Sequence, residues 1–429
     1  MYYKFAECKL FIPINSYSIY VNSYLLFTFV HYKINRNYKI MSTLTIGIIV
    51  VFVLGYAFIA MESLTKINKA AIALLMFVFC WVLYMVDPAP FVQLMHPDFK
   101  GTGEQVLSFV NSLITEHLGD TATTLFFLMG AMTIVEIVDQ NGGFNWVKNV
   151  MHSKTKRSLL WKIAFMTFFL SAILDNLTTS IVMIMILRKL VHDKKDRMIY
   201  ASLVIIAANS GGAFSPIGDV TTIMLWNAGM ITAGGVISEI FIPSLLSMVI
   251  PALLLQKALK GNIEYDDMGT DLMGDTVVLE FTGLQRKVIF AIGVGGLCFV
   301  PLFHYLTELP PFVGILLVLG ILWTVTELFY RHMHRRRGDN IQFSKRVSNL
   351  LSRIDMSTIL FFLGILMAVA CLEEVGVLHE LGGGLNSFFE GNHYAVTGII
   401  GVLSSIVDNV PLVAGSMGMY PIQATGDMS

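Results

Sequence analysis

Continuous apolar segments, each long enough to cross a bilayer, recur along the 429 residues of this chain. Residues 44–61, 70–86 and 236–255 are examples, each close to the about 20 residues that a membrane-spanning helix needs. Only 14% of the residues are charged, whereas soluble domains have roughly 25%. Because the segments do not alternate as barrel strands do, the chain is predicted to be an all-α integral membrane protein in a lipid bilayer.

Hydropathy predicts eight spans, with an interruption at the middle of the fourth: 44–61, 70–86, 121–138, 199–231, 236–256, 287–305, 311–330 and 355–375. Lysine and arginine cluster in three connections, which the positive-inside rule places in the cytoplasm: 148–162, 188–197 and 331–353. The connection 87–120 contains one lysine and no arginine, so it is predicted to lie outside.

Two parts of the chain resemble one another. Ser-Ala-Ile-Leu-Asp-Asn at 171–176 recurs as Ser-Ser-Ile-Val-Asp-Asn at 404–409. Leu-Phe-Phe-Leu precedes both copies, at 125–128 and 360–363, by about 50 and 48 residues. The match predicts an internal repeat with an acidic residue at the same depth in each copy, which is typical of secondary transporters.

The segment 158–187 is apolar but has basic residues at both ends. A single span would place one basic cluster on the wrong side, whereas a re-entrant hairpin with its tip at 175–176 places both in the cytoplasm. An odd number of elements separates the first spans of the two copies. The fold class is therefore predicted to include inverted-topology repeats with re-entrant helical hairpins and a broken transmembrane helix.

Five regions are predicted. They are an N-terminal extension of doubtful status at 1–40, N-terminal spans and the external connection at 41–120, a first repeat at 121–231, connecting spans at 232–354, and an incomplete second repeat at 355–429 with its hairpin tip at 408–409.

The hairpin tips carry the first candidate ligands, Asp175 with Asn176 and Asp408 with Asn409. A charged residue at bilayer depth costs about 2.5–3.5 kcal/mol on insertion scales, so it is usually functional. The alternative is a structural helix cap, because Asp, Asn and Thr are common N-cap residues. Both roles are compatible, and the neighbouring hydroxyls of Thr178 and Thr179 are further candidates.

The interruption of the fourth span is rich in glycine and polar residues, Asn-Ser-Gly-Gly-Ala-Phe-Ser-Pro-Ile-Gly-Asp-Val-Thr-Thr at 209–222. Three glycines and a proline are expected to unwind the helix, freeing oxygens to bind a hard cation, although a simple kink is the alternative. The candidate ligands are Asn209, Ser210, Ser215, Asp219 and Thr222.

Glu136, Glu373 and Glu374 occur near the ends of corresponding spans in the two repeats. They are candidates for a proton relay, or they are interfacial residues. The histidines lie mainly in predicted connections, where solvated side chains are expected. No Cys/His spacing suggests zinc, so neither a cofactor nor a structural metal is expected. The chain has no basic tract with interleaved aromatics, and nucleic acid is not expected as a partner.

The segments 174–180, 209–222 and 407–413 resemble those of NhaD-type bacterial Na⁺/H⁺ antiporters of the ion transporter superfamily. The resemblance implies a site between two oppositely inserted hairpins and two broken helices. It also implies antiport of Na⁺ (or Li⁺) against H⁺ for sodium and pH homeostasis, a possible homodimer, and a bacterial inner (cytoplasmic) membrane location. Na⁺ would be held by Asp175, Asp219 and Asp408.

One departure from the family is expected to matter. The glycine-rich break begins at Gly211, 35 residues after Asn176. A matching break after Asn409 would lie beyond Ser429. The second half-site is therefore expected to be incomplete and the chain truncated at its C-terminus.

Two other functions were weighed. An anion transporter of the same superfamily, for dicarboxylate or arsenite, would use helix N-termini without a fixed negative charge. An intramembrane aspartyl protease would need two close aspartates, but Pro216-Ile217-Gly218-Asp219 lacks the first glycine of a GxGD motif. In the preferred mechanism a proton and Na⁺ compete for the same buried carboxylate.

Overall fold

The computed structural model describes residues 43–144, 147, 150–151, 153–263, 281–337, 354–405 and 409–420, without the side chains of residues 189 and 333–337. These parts of the chain are mainly helical, and the only β-type pairing that they contain is an isolated antiparallel bridge between Thr155 and Asn262. The helices in this part of the chain are α1 (Thr43–Ala60), α2 (Glu62–Thr65), α3 (Lys69–Val86), α4 (Ala89–Met95), α5 (Glu104–Gln140), α6 (Lys156–Leu174), α7 (Asn176–Leu190), α8 (Lys194–Ala213), α9 (Val220–Asn227), α10 (Ala233–Leu255), α11 (Gly283–Thr307), α12 (Pro311–Arg337), α13 (Met356–Glu374), α14 (Val377–Phe388), α15 (His393–Ser404) and α16 (Asn409–Met417).

The all-α membrane fold is confirmed. By length and composition, eight helices among the described residues are able to span a membrane: α1, α3, α5, α6, α10, α11, α12 and α13. Seven of these coincide with predicted spans, and α6 is the first arm of the predicted hairpin. The predicted span 199–231 is divided between α8 and α9, as its interruption required. The division into repeats and their inverted orientation stay predictions, and residues 1–40 lie outside the described part.

The predicted connection 87–120 is largely helical, and its location outside the membrane stays a prediction. It contains α4, and α5 begins at Glu104 and continues for 37 residues. At 1.5 Å per residue α5 is about 55 Å long, well beyond the about 30 Å of a hydrocarbon core. No proline interrupts residues 104–140, so nothing ends the helix where the apolar sequence begins. The lysine and arginine content of a connection does not indicate whether a helix continues through it.

Small residues allow the central helices to approach closely. A Cβ added to Gly364 of α13 would lie 2.5 Å from the carbonyl carbon of Ala73 in α3. Lipid tails are as apolar as leucine, so association inside a membrane depends on such close packing and on hydrogen bonds. α13 contacts both α3 and α5, and α8 contacts α6, α7 and α10.

The predicted hairpin tip coincides with a helix break. Asp175 alone separates α6 from α7, with φ 88° and ψ 154°. Both helices pack on α8, and an ion pair of 2.5 Å between Lys156 and Asp196 joins the start of α6 to the start of α8. The Tyr200 hydroxyl strengthens this junction by donating to the Lys156 carbonyl at 2.8 Å. That the hairpin is re-entrant stays a prediction.

Candidate functional site

Asp175 caps α7 and occupies a backbone conformation that favours glycine. Its carboxylate accepts hydrogen bonds from the Thr178 backbone N–H at 2.9 Å and from the Thr178 hydroxyl at 2.6 Å. A non-glycine residue in such a region costs of order 1–3 kcal/mol and is often found at functional sites. The capping role weighed from the sequence is therefore present, and it fixes the orientation of a half-buried carboxylate.

Asn176 connects the predicted hairpin tip to the broken helix. Its amide Nδ2 donates to Asn209 Oδ1 and to Asp219 Oδ2, each at 3.0 Å. Asn209 lies in the last turns of α8, and Asp219 precedes α9. One amide therefore holds two side-chain oxygens that belong to opposite sides of the broken helix.

The helix break itself covers residues 214–219, between α8 and α9. Asp219 is buried and caps α9, because its Oδ1 accepts from the Thr221 backbone N–H at 3.1 Å. The Thr222 hydroxyl donates to the Asp219 carbonyl at 2.9 Å. Ser215 Oγ accepts from the Ile217 N–H at 3.3 Å, which closes the turn inside the break.

The glycines of this motif do not all unwind the helix, and this corrects the prediction that they do. Gly211 and Gly212 are still helical, as are the candidate ligands Asn209 and Ser210. A Cβ on Gly211 would lie 2.0 Å from the Phe168 carbonyl oxygen, and one on Gly212 would lie 2.5 Å from the Gly218 carbonyl oxygen. These two glycines thus permit close backbone approach between α8, α6 and the break.

Two serines that the sequence prediction missed complete the surroundings of Ser210. The Ser244 hydroxyl of α10 donates to the Ser210 carbonyl, one of the last carbonyls of α8, which lack helical partners. The hydroxyls of Ser210 and Ser247 are 2.7 Å apart. The signal available was a Ser-x-x-Ser pair, at 244 and 247, inside an apolar span.

Replacing Ser244 with Ala is expected to lower the thermal stability of the purified protein in detergent. The change leaves the buried Ser210 carbonyl without this donor, which costs about 1–3 kcal/mol. Ser238→Ala is the matched control, since the exposed Ser238 hydroxyl donates only to the nearby Gly235 carbonyl of the same helix, at 3.1 Å. Equal unfolding temperatures for the two variants would contradict the assigned role of Ser244.

The hydroxyl of Thr179 differs from the other hydroxyls of the site in its hydrogen bonding. Its side chain is 1% exposed, and its Oγ1 has no hydrogen-bond partner among the described residues. It follows Asn176 by three positions on α7 and so lies on the same helix face. A buried hydroxyl without a partner is costly, which makes Thr179 a candidate to bind a ligand.

α16, which belongs to the predicted second repeat, lies close to the helix break. Asp408 lies outside the described residues, and the half-buried Asn409 is the first residue of α16. α16 packs against α9, the helix capped by Asp219, and against α13. The helix that follows Asp408 therefore lies beside the helix that follows Asp219.

The three glutamates lie near the ends of two other helices, Glu136 on α5 and Glu373 and Glu374 on α13, and their role as a proton relay stays a prediction. Glu136 lies in the last turns of α5 and accepts from Gln140 Nε2 at 3.0 Å. Glu374, the last residue of α13, is buried and contacts the Nε2 atoms of His96 and His117. The expectation that the histidines are solvated is wrong for His117, which lies on α5, because side-chain burial depends on the packing of distant helices.

Polar groups at breaks between buried helices define the class of this protein as a multi-pass membrane transporter with discontinuous helices. No group of His, Cys, Asp or Glu side chains within the described residues is arranged to hold a metal ion. The profile of the CitMHS family, described as citrate transporter, matches residues 56–428, and the chain belongs to this family.

Individual relatives confirm the resemblance to NhaD-type proteins. The chain is 40% identical over 377 residues to sodium/proton antiporter 1 of Arabidopsis thaliana. This alignment covers 88% of this chain and 61% of the relative. It is 38% identical over 372 residues to sodium/proton antiporter 2 of the same plant, covering 86% and 82%. It is 27% identical over 402 residues to Na(+)/H(+) antiporter NhaD of Alkalimonas amylolytica, covering 88% and 77%.

Proposed function

We propose that the protein is a secondary active antiporter that exchanges cytoplasmic Na⁺ (or Li⁺) for external H⁺. The printed names of the plant and bacterial relatives support this activity. The structural observation that carries it is the contact of the Asn176 amide with Asn209 and Asp219 where the helices break. The expected role is sodium and pH homeostasis.

The chemistry of the site suits a hard cation. Carboxylate, amide and hydroxyl oxygens are the preferred ligands of such ions. Asn209 Oδ1 and Asp219 Oδ2 both lie 3.0 Å from the nitrogen of Asn176, so a small cation is able to bridge them once that amide turns away. α8 also ends at the break, and the carbonyl dipoles at its C-terminal end favour positive charge.

We assign the proposed site residues to two roles. Na⁺ binds to Asp175, Asp219 and Asp408, with oxygens of Asn176, Asn209, Thr179 and Asn409 as further ligands. The remaining candidates hold these groups in place: Thr178 at Asp175, Thr222 at Asp219, and Ser210 and Ser215 within the broken helix.

Competition between a proton and Na⁺ for the same carboxylates couples their movements. Na⁺ requires an ionised carboxylate, and a proton arriving from outside neutralises that group and releases the ion. With two protons exchanged per Na⁺, each cycle moves one net charge, and a potential of about 100 mV then supplies about 2.3 kcal/mol toward extrusion. Alternating access would come from movement of the helices that carry the breaks.

Citrate or another dicarboxylate is the second candidate substrate, because the family profile is described as citrate transporter. An anion would bind at helix N-termini. The N-termini of α7 and α9, however, are already capped by the carboxylates of Asp175 and Asp219. These negative charges oppose an anion and favour a cation.

A proteolytic activity is not proposed. An aspartyl protease shares a proton directly between two carboxyl groups. Here the carboxylate of Asp175 accepts from Thr178, and the Asn176 amide lies against Asp219. We therefore propose that the protein is a transporter and not an enzyme.

Membrane vesicles test the substrate directly. Everted vesicles from a strain that lacks Na⁺ extrusion and expresses this chain are expected to release protons on addition of Na⁺ or Li⁺, while vesicles without the chain do not. Uptake of labelled citrate by the same vesicles is expected to equal background. Citrate uptake without Na⁺-dependent proton movement would replace the antiporter with an anion transporter.

The membrane that holds the protein and its oligomeric state remain proposals. The bacterial cytoplasmic membrane fits the bacterial NhaD relative, whereas the two plant relatives fit a membrane of a plant cell, and a reporter fusion in the source cell decides between them. A homodimer is expected from the family resemblance, and cross-linking in the native membrane tests it.

A further inference from the structure

A polar contact joins the C-terminal end of α9 to the middle of α5. Asn227 is the last residue of α9, and its Nδ2 donates to the hydroxyl oxygen of Thr124 at 3.3 Å. Thr124 is 4% exposed. Asp219 caps the other end of α9, which has eight residues and is about 12 Å long. The contact therefore anchors the helix that carries one of the proposed cation ligands.

This contact leaves the Asn227 amide only partly paired. Its Oδ1 is buried and has no hydrogen-bond partner among the described residues. Turning the amide over would leave Nδ2 unpaired instead, so one polar atom lacks a partner in either orientation. The bond to Thr124 is itself longer than the about 2.9–3.0 Å that is usual for an N–H donor. A bilayer core supplies no water to such an atom, so a different partner for Oδ1 would stabilise it.

A second buried threonine lies one turn away on α5. Thr121 precedes Thr124 by three positions, so the two side chains are neighbours on the helix surface, about 4.5 Å apart along its axis. Thr121 is 7% exposed, and its hydroxyl donates to Met367 Sδ at 3.7 Å. A thioether is a weak acceptor, so this hydroxyl loses little when it turns to an amide oxygen. α5 therefore offers Asn227 two hydroxyls at successive turns.

The surroundings of α9 allow it to move as a unit. The helix break at 214–219 precedes it, and a turn follows it in which Gly229 has φ 71°. The Trp226 ring meets the rings of Phe127 and His304 edge-on, with centroids 6.5 Å and 5.4 Å apart. The apolar part of such contacts is non-directional, so a sliding movement disturbs it less than it disturbs a hydrogen bond. The Asn227 amide is thus the contact that defines where α9 stands along α5.

We propose that Asn227 is a two-position latch, which holds α9 at Thr124 in this structure and at Thr121 after α9 has moved along α5 by about one turn. The inference rests on the proposed antiport activity. In the second position the Thr121 hydroxyl donates to Asn227 Oδ1 and so pairs the atom that is unpaired in the first. Proteins do switch by one-turn movements of one element past another. Asp219 moves with α9, so the two positions place the cation site at two depths, as alternating access requires.

Valine substitutions test the two positions separately, because valine keeps the shape of threonine and lacks the hydroxyl. Thr124→Val is expected to favour the second position and Thr121→Val the first. In everted vesicles Na⁺ reaches one face of the membrane, and its apparent affinity depends on the fraction of carriers open to that face. The two variants are therefore expected to change the KM for Na⁺ in opposite directions, each by about twofold to tenfold.

Thr123→Val is the matched control for these variants. The Thr123 hydroxyl donates to the Asp120 carbonyl of its own helix at 2.7 Å, and the control is expected to have the wild-type KM. Unchanged KM values in both test variants, or changes in the same direction, would overturn the two positions. Absence of Na⁺-dependent proton movement in wild type would instead overturn the proposed antiport.

Cysteine cross-linking tests the two positions without measuring transport. Asn227→Cys is combined with Thr124→Cys or with Thr121→Cys, and native membranes are oxidised with copper phenanthroline with and without Na⁺. Both pairs are expected to form a disulfide, and Na⁺ is expected to raise the yield of one pair and lower that of the other. Peptide mass spectrometry identifies the bond, because the chain has cysteines of its own. Asn227→Cys with Thr123→Cys is the control and is expected not to cross-link, because adjacent residues point about 100° apart around a helix.

A Thr121 pair that never forms a disulfide, or yields that do not respond to Na⁺, would overturn the latch. Exchange is expected to stop in either cross-linked protein and to return when the disulfide is reduced. Wild-type exchange by a cross-linked protein would also overturn the latch, because α9 would then not need to leave its position. If the cysteine variants do not reach the membrane, the KM values of the valine variants decide.

Discussion

Replacing Asp175 with Asn is expected to abolish Na⁺-driven proton movement while the protein remains folded. Asparagine has nearly the same size and shape as aspartate and also caps helices, so it is able to accept from the Thr178 backbone N–H as Asp175 does. It has neither the negative charge for Na⁺ nor a group that gains and loses a proton in this pH range. Contacts to a charged group are worth about 1.5–3 kcal/mol, which corresponds to a loss of about tenfold or more in apparent affinity even if some exchange survives.

Asp193→Asn is the matched control for this experiment. Asp193 also caps a helix, accepting from the Asp196 backbone N–H at 2.8 Å, but it lies at the start of α8 outside the site. That hydrogen bond lowers the pKa of Asp193 below its ordinary value, so Asp193 is ionised at neutral pH and its replacement also removes one negative charge. The control is expected to exchange ions as wild type does. Wild-type exchange by Asp175→Asn would remove Asp175 from the proposed mechanism.

Replacing Gly211 with Ala is expected to prevent stable packing of α8 on α6. The new methyl group would lie 2.0 Å from the Phe168 carbonyl oxygen and 2.8 Å from its carbonyl carbon, and backbone atoms are not able to move aside as a flexible side chain does. Overpacking typically lowers the free energy of unfolding by about 1–3 kcal/mol, and a clash with backbone atoms is expected to lower it by about 3 kcal/mol or more. Phe168 also stacks on Phe214 in the break, with ring centroids 5.0 Å apart, so the site is expected to be distorted as well.

The yield of monodisperse protein in detergent and its unfolding temperature measure this effect. Gly295→Ala is the control, because Gly295 lies within α11 and has no atom within 4 Å of an added Cβ. Alanine favours a helix over glycine by about 1 kcal/mol, so the control is expected to be as stable as wild type or more stable. A Gly211→Ala protein with wild-type yield and unfolding temperature would show that α6 and α8 are not packed as described.

The location of both helix breaks could be predicted from residue chemistry. Asp175-Asn176 is polar within an apolar segment, and the segment 214–219 contains proline and glycine, so a continuous buried helix was improbable at either point. The identity of the hydrogen-bond partners could not be predicted. Asn176 is 33 positions from Asn209 and 43 from Asp219, and their contact depends on how α7 and α8 pack.

The errors have a common cause, since each concerns a property that neighbouring residues do not determine. Gly211 was assigned to an unwound segment, whereas its role is the close approach of α6. Hydropathy begins a span at residue 121, whereas the helix that contains this span begins at Glu104. His117 was assigned to solvent, whereas Glu374, 257 positions away, accepts its hydrogen bond.

The sequence alone determined that the chain is a helical membrane protein, which segments span, and where Asp and Asn interrupt them. These properties follow from hydropathy and from the conformational preferences of consecutive residues, which act over a few turns of helix. Only the tertiary structure decided that Asn176 holds both sides of the broken helix, that Ser244 caps α8, and that two histidines meet Glu374. Such contacts join residues up to 278 positions apart, and close packing of whole helices is what brings them within hydrogen-bond distance.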